Sequence, residues 1–448
     1  MISLLMMACG GLFCANTPVD QAGEKILFIQ DADTVTAHVQ IQYQGDAKDF
    51  SWVVPVPTEP TLGVGSDQVF QQLRSVTQPR FQLAYRTEGT CFSSVQPGTL
   101  SSATGSIGHT SAGLVSEGQV GPFDSAILKP DDAGALKAWL KANAYVIPDK
   151  LDPLLDPYVA GKYYFVALKL TKDRSAGDIQ PITLKYKATK PGVPIRLTGV
   201  AAIPNMAVYV WVLGDARAVP ENYRHAVINP ARINWLTGGA NYAQVVTQAV
   251  AEAGGQAFVT DFAGDAAPAA QQLGNPNLQT SFLAGLTDPD QFRTTVSSQV
   301  YFGTNFGRQQ AFLARYAPPG ATKVDTAAAI AELETTVVKP IQDLKEQFGR
   351  HGYLTQLFTT MSPAQMTQDP TFRFNPDLPK VEAVHQATLL TRCSWTVTVP
   401  NAPRSLEFAD GSWLPLSNNG DQVKAVDLPA SLRIEQLKEQ GAPAVIVD

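Results

Sequence analysis

Charge is scarce in this chain, and histidine is scarcer. Asp, Glu, Lys and Arg make up 17% of the 448 residues, against about a quarter in an average globular protein. The net charge is −6, and no block of Lys and Arg occurs. Nucleic acid is therefore no expected partner, because phosphate recognition needs clustered cations. An anionic membrane surface finds no polybasic anchor either. No apolar run reaches the ~18 residues of a membrane-spanning helix.

The five histidines are His38, His109, His225, His351 and His385. None falls in H-E-x-x-H or another paired metal spacing. There is no G-x-S-x-G elbow and no Walker A loop. Gly63-Val64-Gly65 lacks the third glycine of a dinucleotide fingerprint. Asp31-Ala32-Asp33 starts a calcium-loop pattern that fails by Val35. The four cysteines, Cys9, Cys14, Cys91 and Cys393, contain no C-x2-C pair. That removes the usual zinc and thioredoxin-like arrangements. No metal and no cofactor is expected.

What is present begins at the N-terminus. The apolar run Met1–Met7 leads to Ala8, Cys9 and Cys14. A short apolar run ending at a small residue reads as the back half of a secretory signal peptide. Residues 1–8 are its expected remnant, so the true start would lie upstream of Met1. The expected location is outside the cytoplasm, in the periplasm or at the cell surface, where disulfides form. Four cysteines allow three pairings. A bridge from Cys9 or Cys14 to Cys91 or Cys393 would close a long loop and stabilise by about 3–5 kcal/mol. Two alternatives remain open: a lipid anchor on Cys9, since Met6-Met7-Ala8-Cys9 loosely resembles a lipobox, and free buried thiols.

The pattern predicts an α+β chain of about two or three domains. Residues 9–235 read as a β-rich, sandwich-like domain with inserted helices. Val35, Ala37, Val39, Ile41 and Tyr43 alternate with polar residues, one face for a core and one for water. The next strand, 50–54, is expected to end at Pro55-Val56-Pro57. Ser66 would cap a helix over 66–74, and Asp131 or Asp132 one reaching Asn143, with Leu136, Trp139 and Leu140 on one face. Residues 93–121, rich in Ser, Gly and Thr, read as a flexible loop. Residues 207–213, AVYVWVL, are apolar on both faces and predict a central strand. Residues 236–380 read as mainly helical, with Asn241 as a cap, Gly254-Gly255 as a stop, and 280–367 largely helix. Within that stretch Gly349 is read as a helix end. Residues 381–448 return to β, with Trp395, Val397 and Val399 alternating and Asp410-Gly411 and Asn419-Gly420 as hairpin turns.

Candidate functional residues are few. His38 falls on the polar face of an exposed strand, and His109 in the flexible loop. His225, His351 or His385 would have to meet Cys91 or Cys393 in space to make a nucleophile. Asp261 and Asp265 flank Phe262-Ala263-Gly264 near a strand end, a weak candidate for paired carboxylate chemistry. Trp52, Pro55 and Pro57 form the most distinctive interior segment, read as a groove for a peptide or glycan or more simply as a buried strand with a rigid exit.

Several segments together resemble one uncharacterised family of exported bacterial proteins, a domain of unknown function. They are ACGGLFC at 8–14, DFSWVVPVP at 49–57, EGQVGPFDSAIL at 117–128, WLKANAYVIPD at 139–149, YYFVALKL at 163–170, VYVWVLGDARAVPENY at 208–223, AEAGGQAFVTDFAG at 251–264 and YLTQLFTTMSPAQMTQDPTF at 353–372. The resemblance implies a signal peptide cleaved ahead of the Cys-Gly-Gly segment. It supplies no activity and no catalytic residue. Two departures stand out: the signal peptide is truncated, and the Cys91 region has Ser and Gly where other members carry further cysteines. The functional expectation is a non-catalytic cell-envelope protein that binds another envelope protein, a peptide or a glycan. The alternative is an extracytoplasmic hydrolase whose site is assembled from distant residues.

Overall fold

Strands Gln21–Asp31 and Thr34–Gln40 pair antiparallel around a tight turn, Asp31 opposite Thr34. They lie inside a ten-stranded sheet of order Pro443–Val447, Ser431–Leu437, Arg224–Ile228, Ala257–Asp265, Tyr353–Met361, Ala202–Gly214, Gln21–Asp31, Thr34–Gln40, Ile182–Lys187 and Thr61–Val64. A computed structural model describes residues 11–12, 21–40, 52–89, 116–143, 145, 151–171, 174–175, 178–200, 202–273, 279–300, 302, 306–393, 402–417, 427–437 and 443–447. Cys9, Cys14, Cys91, His109, the alternation at Trp395–Val399 and the Asn419-Gly420 turn lie outside these residues. The chain is α+β, with a β-rich N-terminal region.

A second sheet, in the order Gly11–Leu12, Trp52–Val56, Tyr164–Leu170, Phe123–Leu128 and Ser116–Val120, packs on the large one. Ile26, Phe28, Val208, Val210 and Val212 meet Trp52, Val54, Val166 and Leu168 in the core between them. The alternate residues Leu27, Ile29, Trp211 and Leu213 point the other way, onto helices Asp67–Thr77, Ala267–Leu273 and Lys339–Arg350. The strand through 207–213 is thus central and covered on both faces, as its unbroken apolar run requires. Helices Ala133–Ala142 and Asp152–Ala160 cover the outer face of the second sheet.

The same double coverage corrects two expectations. Val35 through Gln40 are all buried, so this strand has no watered face. His38 is only 2% exposed, and its Nε2 lies 3.0 Å from Gln347 Oε1 on the covering helix. Periodicity marks which face is polar, but a helix lying over that face is a tertiary fact. Five local readings also change. Residues 116–120 are a strand paired with 123–128 rather than loop. Pro55 lies inside Trp52–Val56, opposite Phe165. It is tolerated because the two-residue strand on the other side reaches only Trp52 and Val53. Asn241 occupies the cap position of Tyr242–Glu252 but caps nothing; its Oδ1 accepts from the Asn234 amide at 2.8 Å. Gly349 lies within Lys339–Arg350, and residues 353–361 of the expected helical stretch are a strand.

Ser66 and Asp132 do cap their helices, accepting from the amides of Gln68 and Ala135. A four-stranded sheet, Arg80–Glu88 beside Val384–Arg392, Arg404–Phe408 and Trp413–Pro415, stands at the far end. The Asp410-Gly411 turn joins its last two strands, with Gly411 at φ +84°. Helices Pro289–Gln299, Phe306–Tyr316 and Thr326–Leu333 form their own small core. Arg174 reaches Glu332 at 2.9 Å, and Arg315 pairs with Asp178, so two ion pairs tie this core to the sandwich side. Among the described residues no helix is long and apolar enough to cross a membrane.

The helix layer is held by apolar burial, so Leu344→Ala should cost about 2–5 kcal/mol in urea unfolding, since Leu344 is fully buried against the sheet. Leu236→Ala, at a side chain 41% exposed, should change stability by under about 0.5 kcal/mol.

Candidate functional site: an aromatic cleft over a β-bulge

A cleft of about 600 Å³ opens where one end of the ten-stranded sheet faces the four-stranded sheet. Its wall is aromatic. Phe81 packs edge-on to Trp235 at 5.3 Å, stacks on His385 at 5.0 Å, and lies 5.6 Å from Tyr242; Phe408 is 6.0 Å from Trp235. Gly239 makes this wall possible. Its φ is +80°, and a Cβ there would sit 2.2 Å from the Phe81 ring.

The floor is polar because of a β-bulge. Thr260 pairs with Leu357 and Phe262 with Gln356, so Asp261 is an extra residue in its strand. Thr260 and Asp261 both line the cleft. Asp261 is 2% exposed, and its carboxyl accepts from Gln356 Nε2 at 2.7 Å and from the Tyr242 hydroxyl. Burial pushes its pKa up to about 7, against the opposing pull of those two donors.

Beside it runs a second chain of contacts. Thr260 Oγ1 lies 2.9 Å from His225 Nε2, and His225 Nδ1 lies 3.3 Å from Glu435 Oε2. The hydrogen bond from His225 holds the Glu435 carboxyl below its usual range, and Arg433 Nε adds an ion pair at 2.8 Å. Burial lowers the His225 pKa, so the ring is neutral near pH 7. An ionised Glu435 accepts only, which assigns the ring proton to Nδ1 and leaves Nε2 to accept from the Thr260 hydroxyl. Arg217 Nη2 donates to the same Oγ1 at 3.3 Å, and Nη1 to the Pro379 carbonyl at 2.9 Å.

The residues singled out by sequence are scattered. Asp265 is exposed and accepts from the Ala267 amide at the start of the next helix; no contact joins it to Asp261. Trp52, Pro55 and Pro57 line a different cavity of about 300 Å³, at the open edge of the sandwich. Trp52 Nε1 is buried there without a partner. His351 bridges Asp31 at 2.9 Å and Asp215 at 3.1 Å, away from the cleft. Cys393 follows Arg392 directly, and its amide donates to the Glu88 carbonyl at 2.7 Å; no described cysteine lines the cleft. Among the described residues no group of three His, Cys, Asp or Glu could hold a metal ion. Thr260, Arg217 and Glu435 escaped sequence reading because they come from three separate strands or loops. The one available signal was a Thr-Asp pair inside the apolar run AFVTDFAG.

Asp261 generates a pH test. Its folded pKa stands above the ordinary value of 3.8, so its contribution is complete below that value and lost as pH rises through about 7. Between about pH 4 and about pH 7 the wild type should lose stability relative to Asp261→Asn, by up to about 1.4 kcal/mol per pH unit. Parallel denaturation curves of the two proteins would contradict this.

Residues 5–373 match a family described as an uncharacterized protein conserved in bacteria (DUF2330). No curated protein and no solved structure matches. With the match covering most of its length, the chain belongs to the DUF2330 family.

Proposed function

We propose that this is a non-catalytic binding protein of the bacterial cell envelope, exported from the cytoplasm, whose aromatic cleft holds a peptide or glycan segment of another envelope component. The observation that carries the reading is the cleft itself. Its volume, about 600 Å³, lies within the usual range of ligand sites. Ring faces from Phe81, Trp235, Tyr242 and Phe408 meet hydrogen-bonding groups from Thr260, His225 and Arg217. Aromatic faces suit the apolar faces of sugars and side chains, while the polar floor fixes orientation.

Export is supported by the apolar run before Cys9 and by the disulfide that Cys393 enters. Its partner in this reading is Cys91. Glu88 and Arg392 face each other in parallel strands, and Cys91 follows Glu88 by three residues in the sequence, which supports this pairing. A non-reducing digest should yield one peptide pair joining Cys91 to Cys393. A pair joining Cys393 to Cys9 or Cys14 would contradict the assignment.

Soluble peptidoglycan fragments, which carry both sugar and peptide, are the probe for the binding reading. Tryptophan fluorescence should change saturably as they are added. Phe81→Ala should weaken that binding at least about tenfold, a loss of about 1.4 kcal/mol. An unchanged titration in the variant, or no saturable signal in the wild type, would overturn the reading.

A second reading, an extracytoplasmic hydrolase, is favoured by one observation: the Thr260–His225–Glu435 chain has the polarity of an activated hydroxyl, a neutral base and an orienting carboxylate. It predicts p-nitrophenyl acetate hydrolysis that is lost in both Thr260→Val and His225→Gln and retained in Thr260→Ser. A wild type no faster than Thr260→Val eliminates it.

A further inference from the structure

We infer that the ligand of the cleft carries a carboxylate and that the Arg217 guanidinium receives it. The inference rests on the cleft being the binding site, and goes beyond it by naming the chemistry of the group recognised. Arg217 is 7% exposed, yet it lines the cleft. Its hydrogen bonds go only to neutral acceptors, the Pro379 carbonyl and the Thr260 hydroxyl. Its Nε has no partner at all. Among the described residues no carboxylate stands within ion-pair distance of it. A guanidinium taken out of water without a counter-charge is costly, and a fold keeps one where a second charge arrives to complete it.

The nearby carboxyls are already committed. Glu435 is held by Arg433 and His225. Asp261 takes Tyr242 and Gln356. Neither balances Arg217, although burial does lower the Arg217 pKa and Glu435 offsets part of that effect through space. The other cleft cation, Arg433, is half exposed and already paired. The planar fork of an arginine matches a carboxylate in two parallel hydrogen bonds, which a lysine or an amide cannot reproduce. The aromatic wall then covers whatever ring or chain bears the acid. Two sources share this chemistry: the terminal carboxylate of a peptide and the carboxylate of an acidic sugar.

The experiment is a fluorescence titration with two matched pairs, N-acetylphenylalanine against its amide and glucuronate against glucose. In the wild type at least one acid should bind about tenfold or more tighter than its neutral partner, the preference expected when a charged hydrogen bond is gained. Whichever acid shows it identifies the source. Arg217→Gln should abolish the preference, and Arg217→Lys should keep part of it, because the charge survives without the fork. Thermal unfolding confirms that both variants are folded. Equal binding of acid and neutral partner, a preference that survives Arg217→Gln, or no binding of any of the four while peptidoglycan fragments still bind, would each overturn the inference and leave the cleft reading intact. Loss of every signal, fragments included, would instead remove the cleft reading itself.

Discussion

Burial of the central strands of the ten-stranded sheet on both faces is the constraint on which everything else depends. The strand Ala202–Gly214 pairs with Gln21–Asp31 on one side and Tyr353–Met361 on the other. Its side chains alternate between the sandwich core and the helix layer. Strands from the start, middle and end of the chain meet in this sheet, so no stretch of sequence closes the core alone. The large side chains Trp211, Phe28 and Phe258 are almost completely withdrawn from water. Such a core tolerates few buried polar groups, and each needs a partner.

The cleft is where that rule is stretched. A single bulge turns Thr260 and Asp261 toward His225, Arg217 and Tyr242 at the end of the sheet. An acid with a raised pKa, a neutral histidine and a guanidinium without a carboxylate stand within one aromatic enclosure. A protein optimised for stability alone would fill this space with apolar side chains. Polar groups held at such a cost commonly mark a site where something binds. Phe81, Trp235 and Phe408 in its wall pack in one hydrophobic cluster.

How far the sequence reveals this depends on what each signal encodes. Residues 207–213 announce a central strand because an apolar run on both faces has one stable home. Ser66 and Asp132 announce helix starts because capping is local chemistry. His38 misleads because the alternation around it reports polarity, and nothing nearby encodes the helix that covers it. Asp261 and Asp265 look paired in sequence, yet the bulge buries one while the other is exposed and accepts from an amide at a helix start. Arg217 and Glu435 are separated by more than two hundred residues and meet only through the folded sheet. Sequence periodicity has no term for such a meeting.

The central claim is that ligand enters the aromatic cleft and not the smaller cavity beneath Trp52. Hydrogen exchange of the intact protein, with and without peptidoglycan fragments, tests this most directly. The account predicts slowed exchange in Arg224–Ile228, around Asp261, and in the segment 378–386 that borders the cleft, with residues 187–194 at the other cavity unchanged. Protection confined to 187–194, or no protection anywhere at saturating fragment, would contradict it.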